Sequence, residues 1–214
     1  MSEAEGPRGL EAGRRAALVI SECQRGVLDP ARTSIGGLAE QAAARGILPK
    51  IARLADAFRA AREPVFHIHL GFRADWAGVA VSCPMMGRSR RHGALVAGAP
   101  DAEAMPEVAP REEDFVCARR SGLAMWYGTD VDAMLRHCRI ETLVMVGVST
   151  NLALFGGCLG AVDRGYSVVL PEDATAGATA ETHAWMIEHT LPMLATLTTV
   201  DAVVGALGGR SGGR

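Results

Sequence analysis

The chain has 214 residues, of which 49% are hydrophobic and 21% are charged. This length and apolar content exclude an intrinsically disordered protein and predict one globular domain around a sizeable core. The formal net charge is only −2 at pH 7, so the chain lacks the positive field that holds a nucleic-acid backbone, and we expect no nucleic-acid partner.

Short apolar runs alternate with helical patterns along the chain. Strands are predicted at 16–23, 64–70, 114–118, 141–148, 166–172 and 195–200, and helices at 48–62, 129–138, 151–165 and 181–194. This alternation is typical of an α/β protein with a parallel sheet covered by helices on both faces. The compositions of 1–14 and 208–214 predict flexible ends on a single domain that spans 15–207.

The segment from Gly71 to Glu113 shows no convincing helix or strand. It is rich in glycine and proline and contains a basic cluster at 88–92 formed by Arg88, Arg90, Arg91 and His92. The simpler interpretation is a solvated surface excursion. The alternatives are a lid, an anion-binding surface or a contact with another subunit, since loops of this length are often functional.

The cysteines and the N-terminus indicate the cellular setting. There are five cysteines, an odd number without metal-binding spacing, which favours reduced thiols. The first 15 residues contain no signal-peptide core, and no apolar run reaches the length of a membrane span. We therefore expect a cytoplasmic protein without a membrane partner.

Polar side chains stand where three predicted strands end. Glu22 ends the first strand, Arg119 and Arg120 follow the third, and 149–153 connect a strand to a helix. Ligands of open parallel sheets bind at the carboxyl ends of the strands. The N-cap residue types at 149–151 also predict free main-chain amides at the start of that helix.

Four motifs, ALVISECQRGVLDP, GTDVDAML, ETLVMVGVSTN and DRGYSVVLPEDATA, occur in this order. Together they resemble the isochorismatase-like hydrolases, a superfamily that includes isochorismatases, nicotinamidases and N-carbamoylsarcosine amidohydrolase. The likeness extends from about residue 16 to about residue 204. It implies a doubly wound, six-stranded parallel sheet and a homo-oligomer, either a dimer or a tetramer.

The amidohydrolases of that family use an aspartate, a lysine and a nucleophilic cysteine. The resemblance places Glu22 at the aspartate, Arg120 at the lysine and Ala153 at the cysteine. An alanine methyl group has no lone pair, so a thiol mechanism is excluded at this position. The resemblance also implies a precedent, because isochorismatases cleave a vinyl ether without the cysteine.

The replaced residues still suit acid/base chemistry. Burial of Glu22 would raise its pKa and make it a general acid or base, although closure of a strand end is the simpler role. Arg120 stays protonated, so it would hold a substrate carboxylate or oxyanion rather than transfer a proton. The amides near Leu152 and Ala153 would stabilise negative charge.

The remaining candidates for substrate binding are Arg119, Trp126, Tyr127 and Phe155; for the aromatic rings, simple packing is the alternative. Cys117 is the best replacement thiol, because neighbouring arginines would lower its pKa, although an inert thiol is the more common case.

Other polar residues have structural interpretations. Strand alternation predicts that Cys23 is a core residue. His67, His69 and Asp75 lack the spacing of the nicotinamidase metal ligands, so we predict no metal and no cofactor. Asp173 is interpreted as a turn or cap residue.

Two hypotheses follow for the function. The first is an enzyme that acts on a small anionic or carbonyl-containing metabolite by hydrolysis, elimination or rearrangement, in specialised metabolism. The second is a pseudoenzyme that serves as a ligand-binding or structural subunit.

Overall fold

The computed structural model describes residues 6–33 and 35–209, which form one parallel sheet with helices on both faces. The strand order is β3-β2-β1-β4-β5-β7, and β6 pairs with β4. The strands are β1 (Ala16–Ser21), β2 (Val65–Leu70), β3 (Phe115–Arg119), β4 (Thr142–Val148), β5 (Ser167–Pro171), β6 (Thr175–Ala176) and β7 (Thr196–Thr198). The predicted six-stranded, doubly wound sheet is confirmed, with the two-residue β6 as an addition.

Eight α-helices surround the described sheet. They are α1 (Arg25–Leu28), α2 (Leu38–Arg45), α3 (Ile47–Ala60), α4 (Pro84–His92), α5 (Val131–His137), α6 (Ala153–Asp163), α7 (Ala180–Trp185) and α8 (Val200–Gly208). A π-helical turn covers Met186–Thr190, and 3-10 turns cover Pro106–Val108, Glu172–Ala174 and Leu191–Met193. Within the described chain, no helix is long and apolar enough to cross a membrane.

The central strands read as continuous apolar runs because both of their faces are covered. All residues of β1 and β4 are buried. Leu18 and Ile20 point into the core layer beneath α3, whereas Val19 and Met145 point into the layer that contains residues of α5 and α6. Because β3, β2 and β1 are parallel neighbours in the sheet, their carboxyl ends lie side by side.

The segment 71–113 is more regular than predicted. It contains α4, and it folds back onto the domain through residues such as Met86 and Leu95, which are both 3% exposed. Met86 is the only buried residue of α4, so the helix has no apolar periodicity that the sequence could reveal. The prediction of an irregular segment is therefore wrong for 84–92.

Parts of the predicted flexible ends are packed against the domain. Leu10 is 4% exposed and belongs to the core, and the Gly9 carbonyl accepts a hydrogen bond of 2.7 Å from the Thr142 hydroxyl. At the other end, α8 continues to Gly208. Residues 1–5 and 210–214 of the predicted flexible ends lie outside the described residues.

Gly147 in β4 supports a prediction about stability. Its φ is +99°, and an added Cβ would lie 2.3 Å from the Ser21 carbonyl oxygen. Gly147→Ala is expected to lower the free energy of unfolding by about 2–4 kcal/mol. In the exposed part of α8, an added Cβ on Gly205 meets nothing within 4 Å, so Gly205→Ala should stabilise by about 0.5–1 kcal/mol. Urea unfolding measures the free energy of unfolding of both variants. An equal change in Gly147→Ala and Gly205→Ala would contradict the close approach of β1 and β4 at Gly147.

Candidate active site

Glu22 lies directly after β1, at the carboxyl edge of the sheet. It is 9% exposed, and its φ of 54° is in the left-handed region that few non-glycine residues adopt. Its amide donates to the Ile68 carbonyl oxygen at 3.0 Å, and the Ser21 hydroxyl donates to the Val148 carbonyl oxygen at 2.9 Å. These bonds to β2 and β4 fix the turn that directs the carboxyl group.

Arg119, the last residue of β3, is the partner of this carboxyl group. It is 3% exposed, and its Nη2 forms a short ion pair with Glu22 Oε1. Its Nη1 donates to the Leu123 carbonyl oxygen at 2.6 Å. The buried Nε has no partner among the residues that the structure describes. The Nε–H is therefore an unused donor of this buried guanidinium.

The structure pairs Glu22 with Arg119 rather than with the predicted Arg120. Along β3, Cys117 and Arg119 are buried whereas Ala118 is exposed, and Arg120 is exposed as well. Strand alternation from the buried Cys117 would have pointed to Arg119.

The electrostatic environment of Glu22 confirms the expected direction of its pKa. Burial raises the pKa of the Glu22 carboxyl group, and Arg119 opposes that rise through its charge and hydrogen bond. The carboxyl group therefore keeps its proton to a higher pH than an exposed glutamate does.

Gln24 is a site residue that the sequence analysis missed. Its side-chain amide donates to the carbonyl oxygens of Leu70 at 2.8 Å and Ala102 at 2.7 Å, and its Oε1 accepts from the Leu70 amide at 2.6 Å. It is 0% exposed. Its position two residues after Glu22, directly after a buried strand, was the available signal.

The segment 71–113 covers the carboxyl ends of β1 and β2. The Met105 amide donates to the Cys23 carbonyl oxygen at 2.9 Å, and the Gly26 amide donates to the Asp101 carbonyl oxygen at 2.7 Å. These bonds hold the segment against the residues that follow β1, and its role as a lid, an anion-binding surface or a subunit contact stays a prediction.

The start of α6 differs from the prediction. Its N-cap is Leu152, without a side-chain cap, rather than a residue of 149–151. Thr150 Oγ1 lies 3.3 Å from His183 Nδ1 instead, and Asn151 Oδ1 accepts from the Ala178 amide at 3.2 Å. These polar side chains hold neighbouring segments and do not cap the helix.

Only part of the predicted amide cluster is free. The Leu152 amide donates to the Ser149 carbonyl oxygen at 3.1 Å, so it is not available to a ligand. Ala153, which is 6% exposed, begins α6, and its amide has no hydrogen-bond partner in the described part of the chain. Of the two amides predicted to be free, only that of Ala153 is available to a ligand.

The three aromatic candidates differ from one another in burial and contacts. Trp126 packs on α6, where its Nε1 donates to the Gly157 carbonyl oxygen at 2.9 Å. Tyr127 is 67% exposed, and Phe155 is half-buried. Trp126 therefore has a packing role, which was the alternative to substrate binding for these rings.

The cysteines near the site are not activated. Burial, with the charge of Asp130, raises the pKa of Cys117 to about 12, so the predicted lowering by arginines is wrong. Burial also raises the pKa of Cys158 to about 12 and that of Cys23 above its usual range. The core position predicted for Cys23 is confirmed.

His67 of β2 has a carboxylate partner other than Asp75. His67 Nε2 lies 3.2 Å from Asp114 Oδ2, whereas Asp75 is exposed and pairs with Arg73. Within 6–33 and 35–209, no group of three or more His, Cys, Asp or Glu is arranged to hold a metal ion.

The predicted capping role of Asp173 is confirmed. Its Oδ1 accepts a hydrogen bond of 2.9 Å from the amide of Val200, the first residue of α8. Asp173 thus satisfies one of the unpaired amides at the start of that helix.

Comparisons with known proteins agree with this architecture. The isochorismatase domain model matches residues 16–202. The chain is 30% identical, over 91% of its length and 97% of the relative, to the uncharacterized isochorismatase family protein YecD of Escherichia coli O157:H7. It is 29% identical to the ureidoacrylate amidohydrolase RutB of Agrobacterium fabrum, over 79% of this chain and 78% of that protein.

A solved structure shows the same fold. The cysteine hydrolase from Pseudomonas syringae pv. phaseolicola superposes with a TM-score of 0.84 at 21% identity, covering 98% of this chain and all of that one (100%).

The two adjacent arginines provide a matched pair for measuring the ion pair. Arg119→Met leaves the buried Glu22 without its partner and should lower the free energy of unfolding by about 3 kcal/mol, reduced to the extent that Glu22 takes up a proton. Arg120→Met removes the same charge from an exposed position and should change it by less than about 0.5 kcal/mol. Urea unfolding at neutral pH measures both, and equal losses would contradict the assignment of Arg119.

The raised pKa of Glu22 predicts a pH dependence of stability. The native state binds the Glu22 proton more tightly than the unfolded state, so this contribution is complete below the ordinary value of 4.5. It is lost as the pH rises from there to the native pKa. The free energy of unfolding of the wild type minus that of Glu22→Gln should therefore fall above pH 4.5 and then level off. A difference that rises with pH would show a lowered pKa instead.

Proposed function

Because the chain belongs to the isochorismatase family, we propose that it is an enzyme acting on a small metabolite that carries a carboxylate or carbonyl group. The reaction is acid/base chemistry without a covalent intermediate: hydrolysis, elimination or rearrangement. The observation that carries this proposal is the buried Glu22–Arg119 pair at the carboxyl ends of β1 and β3, where ligands of parallel sheets bind.

Glu22 is the proton-transferring group in this proposal. Its raised pKa keeps the carboxyl group protonated closer to neutral pH, where a general acid is most effective. The carboxyl group donates its proton to the leaving oxygen or nitrogen of the substrate. Water attacks the resulting cationic carbon in a hydrolysis, and the ionised Glu22 then recovers a proton.

Arg119 binds the substrate in place of the predicted Arg120. Its unpartnered Nε is a buried donor beside Glu22, and a guanidinium holds a carboxylate or an oxyanion through parallel hydrogen bonds. The unpaired amide of Ala153 supplies a second donor from the first turn of α6. These two donors favour an anionic or carbonyl-containing substrate.

The lack of a nucleophile at Ala153 supports non-covalent chemistry. The thiols of Cys117 and Cys158 have pKa values near 12, so thiolate is scarce at neutral pH. A cytoplasmic location, a role in specialised metabolism and assembly as a dimer or tetramer belong to the same proposal.

One observation favours the second candidate, a pseudoenzyme that binds a ligand or serves as a structural subunit. Glu22 and Arg119 already satisfy each other, and the segment 71–113 covers the strand ends above them. A substrate would have to compete with this ion pair, whereas a purely structural pair needs no ligand.

The decisive experiment is a turnover assay on small carboxylates, with isochorismate and ureidoacrylate as the first compounds. Glu22→Gln removes the transferable proton and should lower kcat by about 100-fold or more. Glu188→Gln makes the same chemical change on a side chain that is 68% exposed and should leave kcat unchanged.

Three outcomes would contradict the proposal. Full activity of Glu22→Gln would remove Glu22 from the mechanism. Ligand binding without turnover by the wild type would favour the pseudoenzyme. A substrate fragment attached to the protein, detected by intact mass, would show a covalent intermediate.

A further inference from the structure

A cleft lies at the edge of the sheet opposite to Glu22, where the strands begin. It has a volume of about 640 Å³. Its polar wall consists of Arg15, Arg59, Arg62, Glu63, Glu113, Asp114, His137 and Arg139, and its apolar part includes Pro64 and Val65. This size is within the range of small-molecule sites. The cleft shares no residue with the Glu22 site.

Three arginines enter this cleft from equivalent places in the fold. Arg15 comes directly before β1, Arg62 precedes β2 and Arg139 precedes β4. Both β2 and β4 pair with β1, so the three residues lie at the amino ends of adjacent strands. The topology thus gathers cationic side chains on both sides of the start of β1.

Most charges of the cleft neutralise each other, but two arginines are left over. Arg15 pairs with Glu63 at 2.9 Å, and Arg59 pairs with Asp114 at 2.5 Å. The side chains of Arg62 and Arg139 have no hydrogen-bond or ion-pair partner among the described residues.

One carboxylate of the wall, that of Glu113, also lacks a partner within the described chain. It opposes the two unpaired arginines and lowers the net charge that a ligand meets. The surplus nevertheless stays positive, since two guanidinium groups face a single carboxylate.

Arg62 and Arg139 occupy backbone positions that favour glycine. Both have a φ of 56° and follow the end of a helix, α3 or α5. The corresponding position after α6 is Gly165, with a φ of 85°. Glycine is the usual residue there because a side chain is strained in this conformation. The chain thus places arginine at the two sites that line the cleft and glycine at the site before β5.

These arginines are not needed to close the helix ends. The amide of Glu63 donates to the Phe58 carbonyl oxygen at 2.9 Å, and the amide of Ile140 donates to the Leu135 carbonyl oxygen at 3.0 Å. The same bond follows α6 without an arginine, from Tyr166 to Ala161 at 3.0 Å. The main chain therefore satisfies these carbonyl groups, and both guanidinium groups remain available.

We propose that this cleft binds a small anion with two or more phosphate or carboxylate groups. Arg62 and Arg139 each hold one anionic group, since a guanidinium binds either kind bidentately. Pro64 contacts the part of the ligand that joins its anionic groups. The site is independent of the proposed reaction, because none of its residues takes part in the Glu22 chemistry.

The test is isothermal titration calorimetry of the full chain with pyrophosphate and with citrate, which separate phosphate from carboxylate recognition. Arg62→Gly and Arg139→Gly suit the left-handed backbone, so both variants should stay folded. Each should weaken binding by about tenfold or more, and Glu113→Gln should tighten it by about two- to threefold.

Two controls make the result specific. Arg88→Gln removes an exposed arginine of α4, away from the cleft, and should leave the affinity unchanged. Glu22→Gln should also bind normally, so a failure of the proposed reaction would not affect this result. The absence of binding at millimolar pyrophosphate and citrate, or an equal loss in Arg88→Gln, would overturn the proposal.

Discussion

The burial of Glu22 against Arg119 is the interaction on which the candidate active site depends. Removing both charges from water is costly, and their attraction compensates only when the geometry is good. The turn after β1 and the end of β3 supply that geometry, and Gln24 closes the segment 71–113 over it. The same burial that makes the pair costly raises the pKa of Glu22. The cost in stability and the suitability of Glu22 for proton transfer therefore have the same cause.

The sequence predicted the central part of the fold because its signals are local. Continuous apolar runs such as 141–148 indicate strands buried on both faces, and β4 lies there. The helix α4 left no such signal, because it buries a single side chain. Contacts between residues that are far apart in the sequence could not be predicted either. The hydrogen bond from Gln24 to Ala102, for example, joins residues 78 positions apart.

The sequence predicted a glutamate and an arginine at the carboxyl ends of the strands, but it did not predict every residue of the candidate site. Glu22 was identified by its place at a strand end, and the structure confirms its burial. The structure pairs Glu22 with Arg119 and leaves Arg120 exposed, because the alternation of side chains along a strand decides which of two adjacent residues points inward. The capping roles assigned to 149–151 failed because Thr150 and Asn151 bind side chains and amides of other segments, which no local pattern reveals.

The three hydrogen bonds of Gln24 have a consequence for chimeric proteins. Two of them join the ends of β1 and β2, and the third holds a main-chain carbonyl of the covering segment. A segment transplanted from a relative must therefore bring a carbonyl to the same point, whatever its own sequence. A transplanted segment that fails to do so would leave the buried Gln24 amide with an unpaired donor and would destabilise the chimera.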